Sequence, residues 1–171
     1  MRRRLLALAL LLALAAAAEA APAAPGFRLK LLDSKRSIDS NELIGKKVVV
    51  LRFQASYCPP CAKESAALNR VSERYRDRDV EVVAIHVQDT AADARRFLKA
   101  HGATYPAGLD PRLTIANRFG FKGTPYTVVV DKRGEIAARI HGSATELRMR
   151  AALDPLLERR PAKKPPPKRL R

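Results

Sequence analysis

The sequence predicts an α/β domain with a mixed central sheet flanked by helices, and three observations support it. A strand-helix-strand-helix series occupies residues 48–101. Two later strand segments, 126–130 and 135–140, are joined through the short stretch 131–134 and so form an antiparallel hairpin. A composition of 47% hydrophobic and 29% charged residues over 171 positions fits one globular domain with a moderate core, excluding a large multidomain enzyme. In order, residues 27–32 form an edge strand closed by the Asp33-Ser34 turn signal, Ser40 caps a short helical turn, and Gly45 breaks it. The β-branched apolar run 48–53 has the length and composition of a central, doubly buried strand. Residues 59–76 form a helix with Ala62, Ala66, Leu68, Val71 and Tyr75 at loosely helical spacing, followed by a buried strand over 80–87. Thr90 caps a helix to His101, with Gly102 at its stop. Residues 105–109 form a short strand, Asp110-Pro111 opens a helix to Phe119, 120–123 is a loop, and 145–158 is the terminal helix.

The ends of the chain read differently from its middle. Arg2, Arg3 and Arg4 precede an apolar run over 5–18, and Ala18-Glu19-Ala20 matches a small-x-small cleavage pattern, so residues 1–20 read as a secretory signal peptide. The apolar run has 14 residues, short of the roughly 20 that span a bilayer. With no cysteine before Cys58, there is none near the cleavage site to lipidate. Residues 21–25 are an Ala/Pro linker, 26–158 the folded domain, and 159–171 a basic, Pro-rich tail too poor in apolar surface to fold. The net charge of +16 is concentrated at these ends: residues 26–158 hold 23 basic against 16 acidic side chains, net +7. That distribution argues against a nucleic-acid-binding fold and leaves the tail either as solubilising sequence or as a weak contact for anionic lipid headgroups.

The two cysteines carry the chemistry. Cys58-Pro59-Pro60-Cys61 lies where the central strand ends and a helix starts. Unpaired amide N–H groups and the macrodipole at a helix N-terminus favour negative charge, so the Cys58 thiolate is favoured over the thiol and is the attacking species. Cys61, one turn further on, closes the ring by attacking a mixed disulfide formed at Cys58. Export places the pair in an oxidising compartment, where a structural staple or half of a shared metal site is the plainer alternative. Staples generally close longer loops, because a short loop constrains the unfolded chain little.

The stretch VVVLRFQASYCPPCAKE, with GTP about sixty residues later before TVVVDKRGEI, resembles the TlpA/ResA-like thioredoxins, the exported thiol-disulfide oxidoreductases of bacteria. The resemblance covers residues 27–157 and implies a thioredoxin-like fold with a helix-strand insertion at 90–109. It identifies Pro125 as a cis-proline facing the cysteines and implies that Thr124 and Pro125 present a backbone edge to substrate. It matches Glu64 to an active-site glutamate of some members, a carboxylate able to relay the proton of Cys61. It further implies protein disulfide or dithiol substrates such as apocytochrome c, electrons from an inner-membrane thiol donor, a periplasmic location and no dissociable cofactor.

Departures from the family pattern are local. Tyr57 replaces the usual tryptophan before the first cysteine, preserving a partner-contact role, Arg52 stands where a buried acid or asparagine is common, and Gln54 replaces an aromatic. Strand alternation puts Arg52 and Gln54 on one face, from which Arg52 reaches Glu64 and holds it ionised. Without that role Glu64 is a solvated first-turn glutamate favoured by the helix dipole. His86, His101 and His141 share no ligand spacing, so no metal site is assigned. The competing readings are a disulfide oxidase or isomerase, a copper-handling chaperone using both cysteines and His141, and a redox-silent binding module.

Overall fold

The computed structural model describes residues 21–158. The expected leader over 1–20 and tail over 159–171 lie outside the described residues. In chain order the elements are β1 (Arg28–Lys30), β2 (Ser37–Asp39), the one-turn helix α1 (Ser40–Leu43), β3 (Val48–Gln54), α2 (Pro59–Tyr75), β4 (Val80–Val87) and α3 (Ala91–Ala100). There follow β5 (Ala107–Asp110), a 3₁₀ turn (Ala116–Phe119), β6 (Tyr126–Val130), β7 (Ile136–His141) and α4 (Glu146–Glu158). The main sheet has the order β5-β4-β3-β6-β7. Its first three strands are parallel, and β6 and β7 run antiparallel to their neighbours, giving the expected mixed sheet.

β3 lies at the centre because every one of its residues is buried, which only a strand covered on both faces allows. Val48 and Val50 pack with Leu68, Val71, Phe97 and Met149 from α2, α3 and α4. Val49, Leu51 and Phe53 pack on the opposite face with Phe27, Ile115 and Phe119. Each such burial contributes roughly 1.5–3 kcal/mol. The same alternation turns Arg52 and Gln54 toward the face that α2 covers, so two polar side chains sit beneath the cysteine-bearing helix. α2 starts at Pro59 because proline lacks the N–H that a first helical residue leaves unpaired and has the φ a helix needs. Cys61, Ser65, Leu68, Val71 and Tyr75 form its buried stripe. Thr90 caps α3 by accepting the Asp93 N–H at 3.1 Å.

Several boundaries differ from expectation for identifiable reasons. The helix expected from Asp110-Pro111 to Phe119 is reduced to the 3₁₀ turn. The Asp110 carboxylate accepts the N–H groups of Thr114, Ile115 and Ala116 at 2.7–2.8 Å, an alternative to helical bonding, and Leu113 has φ +58. The strand expected over 27–32 shortens to β1, which pairs with the unanticipated β2 in a two-stranded sheet. Beyond it, Leu31 and Leu32 meet the outer edge of β5 through the Leu31–Gly108 bridge and the Leu32 N–H to Ala107 carbonyl bond. The short turn is capped by Asp39, whose side chain accepts the Asn41 N–H, while Ser40 Oγ accepts the Phe27 N–H. The strand expected at 105–109 is shifted to β5.

β1 crosses β5 at Gly108, which bridges Leu31. A Cβ there would lie 2.5 Å from both Leu29 Cγ and the Lys30 carbonyl oxygen. Gly108→Ala is therefore expected to cost about 1–3 kcal/mol, read as a lower denaturant midpoint; an unchanged midpoint would show that the crossing relaxes freely.

Candidate active site

The segment leaving β3 turns through Ala55, Ser56 and Tyr57 into α2, and its Cys58 is the N-cap residue of that helix. Cys58 adopts an extended backbone, and its sulfur accepts the Cys61 N–H at 3.2 Å, so one otherwise unpaired amide of the helix start points at Sγ. Cys58 and Cys61 are joined in a disulfide with a Cα–Cα distance of 5.2 Å. Cys58 is 5% exposed and Cys61 1%, so the first sulfur is the more accessible. Tyr57 stands out from the surface beside them at 60% exposure. It walls a groove of about 360 Å³ with Ser56 on one side and Asp93, Phe97 and His101 of the α3 region on the other.

Pro125 reaches the same end of the sheet through strand register. Phe53 pairs with Tyr126, so the residue preceding β6 lies at the edge from which the cysteine turn departs. The Thr124–Pro125 bond is cis, and the Pro125 carbonyl accepts the Gly142 N–H at 3.0 Å, tying this loop to the segment that enters α4.

Arg52, 2% exposed, places Nη2 2.5 Å from Glu64 Oε2 and Nη1 3.1 Å from Thr127 Oγ1. Glu64 also accepts bonds from Ser143 Oγ and, at 3.2 Å, from the Ala144 N–H. Burial works to raise the Glu64 pKa, but these donors and the adjacent guanidinium outweigh it and hold the carboxyl below the ordinary value. The pairing expected from strand parity is thus present, and it extends to a segment that no sequence spacing linked to Glu64.

A second polar cluster was not anticipated as part of the site. Gln54, His86, Asp89 and Ser56 form a connected hydrogen-bonded chain reaching the cysteine turn. The only sequence signal for it is the parity that puts Gln54 on the α2 face. Of the remaining histidines, His141 stacks on Tyr126 at 4.5 Å and His101 lies against Phe97 at 4.6 Å. Among the described residues no three His, Cys, Asp or Glu side chains gather to hold a metal ion. No helix among them is long and apolar enough to cross a membrane.

A mixed five-stranded sheet with flanking helices, carrying a C-x-x-C disulfide at the mouth of a helix beside a cis-proline, defines a thioredoxin-like thiol-disulfide oxidoreductase. The chain belongs to the AhpC/TSA family, whose model matches residues 20–139, and within it to the TlpA/ResA-like thioredoxins. It is 31% identical over 123 residues to the thiol-disulfide oxidoreductase ResA of Halalkalibacterium halodurans, covering 72% of this chain and 69% of that protein. It is 33% identical over 135 residues to the thiol:disulfide interchange protein HelX of Rhodobacter capsulatus, covering 78% and 74%. The fold matches that of a thiol:disulfide interchange protein of the thioredoxin family from Chlorobium tepidum, with a TM-score of 0.72, 24% identity and coverage of 80% and 97%. The chain is accordingly an enzyme that exchanges electrons with protein thiols and disulfides.

Proposed function

We propose that the protein is exported to the periplasm through a cleaved leader over residues 1–20 and reduces disulfides of envelope proteins, apocytochrome c among them. In the reducing direction the Cys58 thiolate attacks a substrate disulfide, one substrate sulfur leaves as thiolate, and Cys61 then attacks Cys58 Sγ. The second substrate sulfur is released and the protein disulfide forms, so two electrons have passed to the substrate. An inner-membrane thiol donor returns the pair to the dithiol. The observation that carries this reading is the placement of Cys58 as the N-cap of α2 with an amide N–H directed at its sulfur.

The remaining site residues take supporting roles in this proposal. Tyr57 and the groove beside it receive the polypeptide flanking the substrate cysteine, and Thr124 and Pro125 offer it a backbone edge. Glu64, three residues after Cys61 and therefore on the same side of α2, accepts the Cys61 proton, with Arg52 setting how readily it does so. The basic tail over 159–171 serves as solubilising sequence, with weak contact to anionic lipid headgroups as the alternative.

Alkylation of the reduced protein by iodoacetamide across pH, with redox titration against glutathione, tests the reading. The expected Cys58 midpoint lies at least about one unit below the free-thiol value of about 8.5. The expected potential lies nearer the thioredoxin value of about −270 mV than the value of about −120 mV of strong oxidants. A free-thiol midpoint would refute the reactive-cysteine assignment. A potential at the oxidising end would assign the protein to the oxidase or isomerase class instead.

A further inference from the structure

Asp89 takes no part in the exchange described above, yet it holds the turn that carries Cys58. β4 ends at Val87, Gln88 adopts φ +49, and the chain doubles back so that the Asp89 carboxylate, 8% exposed, meets the β3–α2 turn. Its Oδ2 accepts the Ser56 N–H and a bond from His86 Nδ1, both at 2.8 Å. Its Oδ1 accepts from Ser56 Oγ at 2.8 Å and from the Thr90 N–H at 3.1 Å. His86 is fully buried, and its Nε2 lies 2.9 Å from Gln54 Nε2, its cross-strand partner in the β3–β4 register. A neutral imidazole with its proton on Nδ1 satisfies both contacts, donating to Asp89 and accepting from Gln54. Burial favours that neutral form, holding the His86 pKa below its ordinary value against the pull of Asp89.

We infer that Asp89, oriented by His86 and Gln54, is a positioning residue for thiol-disulfide exchange, fixing the Ser56–Cys58 turn so that Sγ stays at the mouth of α2 when the disulfide is open. The inference rests on the reading of Cys58 as the nucleophile. In the oxidised protein the bond to Cys61 itself restrains Cys58. In the dithiol that restraint is gone. The turn is then held by the Cys58 N–H to Ala55 carbonyl bond and the Ala62 N–H to Cys58 carbonyl bond, both 3.2 Å here, and by Asp89. The clamp keeps Cys58 Sγ at the mouth of α2, where the helix amides favour a thiolate and give the uncharged disulfide sulfur no comparable stabilisation. It therefore stabilises the reduced form more than the oxidised form, and its removal makes the disulfide harder to reduce and the thiolate slower to attack. A residue that merely joins β4 to α3 would stabilise both redox forms equally and leave the potential unmoved.

Redox titration of the full chain against glutathione, with iodoacetamide trapping at one pH, separates the two roles. Asp89→Ala is expected to shift the equilibrium toward the disulfide by on the order of tenfold, with a similar slowing of Cys58 alkylation. Asp89→Asn, which keeps a carbonyl oxygen for the Ser56 N–H, should shift it less, by about threefold, and carries the test if the alanine variant does not fold. Thr90→Ala removes the cap of α3 at the next residue and should lower the thermal midpoint with the equilibrium unchanged. The inference is overturned if the aspartate variants lose stability equally in both redox states with the equilibrium within twofold of the parent, or if Thr90→Ala shifts the equilibrium as far as they do. A parent protein whose Cys58 alkylates like a free thiol would instead refute the nucleophile assignment, whatever the Asp89 variants show.

Discussion

Replacing Cys61 with alanine is expected to turn the enzyme into a trap for its own substrates. Cys58 remains at the start of α2, where the helix amides favour its thiolate, so the first attack on a substrate disulfide proceeds. The second step is lost, because the sulfur that lies one helical turn away in the parent protein is absent. Release then depends on an external thiol, and an intramolecular partner held at bonding distance outcompetes millimolar thiol by on the order of 10³-fold or more. Turnover should fall by at least that factor, while mixed disulfides at Cys58 accumulate and are identifiable by mass spectrometry of non-reduced extracts from the native envelope. Partners recovered this way would identify the substrates and show whether cytochrome c precursors are among them. Normal turnover by the Cys61→Ala variant, with nothing trapped, would sink the two-cysteine mechanism.

Arg52→Met is expected to produce the largest loss of stability of any single replacement at the site. The guanidinium is 2% exposed and its compensation comes from Glu64 and Thr127. Removing one partner of a buried pair costs about 3–5 kcal/mol, a large share of the roughly 5–15 kcal/mol that holds a domain folded. Glu64→Gln should also destabilise, because it leaves the buried guanidinium uncompensated. The double variant Arg52→Met, Glu64→Gln should recover part of the combined loss, with a coupling of about 1 kcal/mol or more in a double-mutant cycle. Additive single effects below about 0.5 kcal/mol would show that the pair is energetically idle.

The same pair sets a pH dependence. Glu64 is held below its ordinary value of 4.5, so the unfolded chain binds the proton first on acidification. The Glu64 contribution to stability is fully present above that ordinary value and is lost as pH falls through the lower folded value. In Arg52→Met this acid-side slope should shrink but not vanish, because the Ser143 hydroxyl and the Ala144 N–H still lower the folded value after the guanidinium is gone.

Much of the architecture was legible because the relevant signals are local. The apolar run over 48–53 has the length and β-branched composition of a doubly covered strand, and its period-two alternation placed Arg52 beneath α2, within reach of Glu64. Proline directly after Cys58 marked the helix start, and Thr90 marked the next one. The segment after Asp110 misled for an equally local reason. Asp-Pro is a good helix opener, but three amides bonded to one carboxylate offered the backbone a competing solution. β2 escaped notice because three residues of mixed polarity carry no periodic signal.

The α/β class, the central strand and a cysteine pair at a helix mouth could be read from the residue order alone, since each depends on neighbours within a turn or a pleat. What surrounds the cysteines emerges from long-range contacts. Glu64 meets Ser143 and Ala144 across separations of 79 and 80 residues, and Ser56 meets Asp89 across 33. Such contacts follow from strand order and from how helices settle on the sheet, and no window of consecutive residues encodes them.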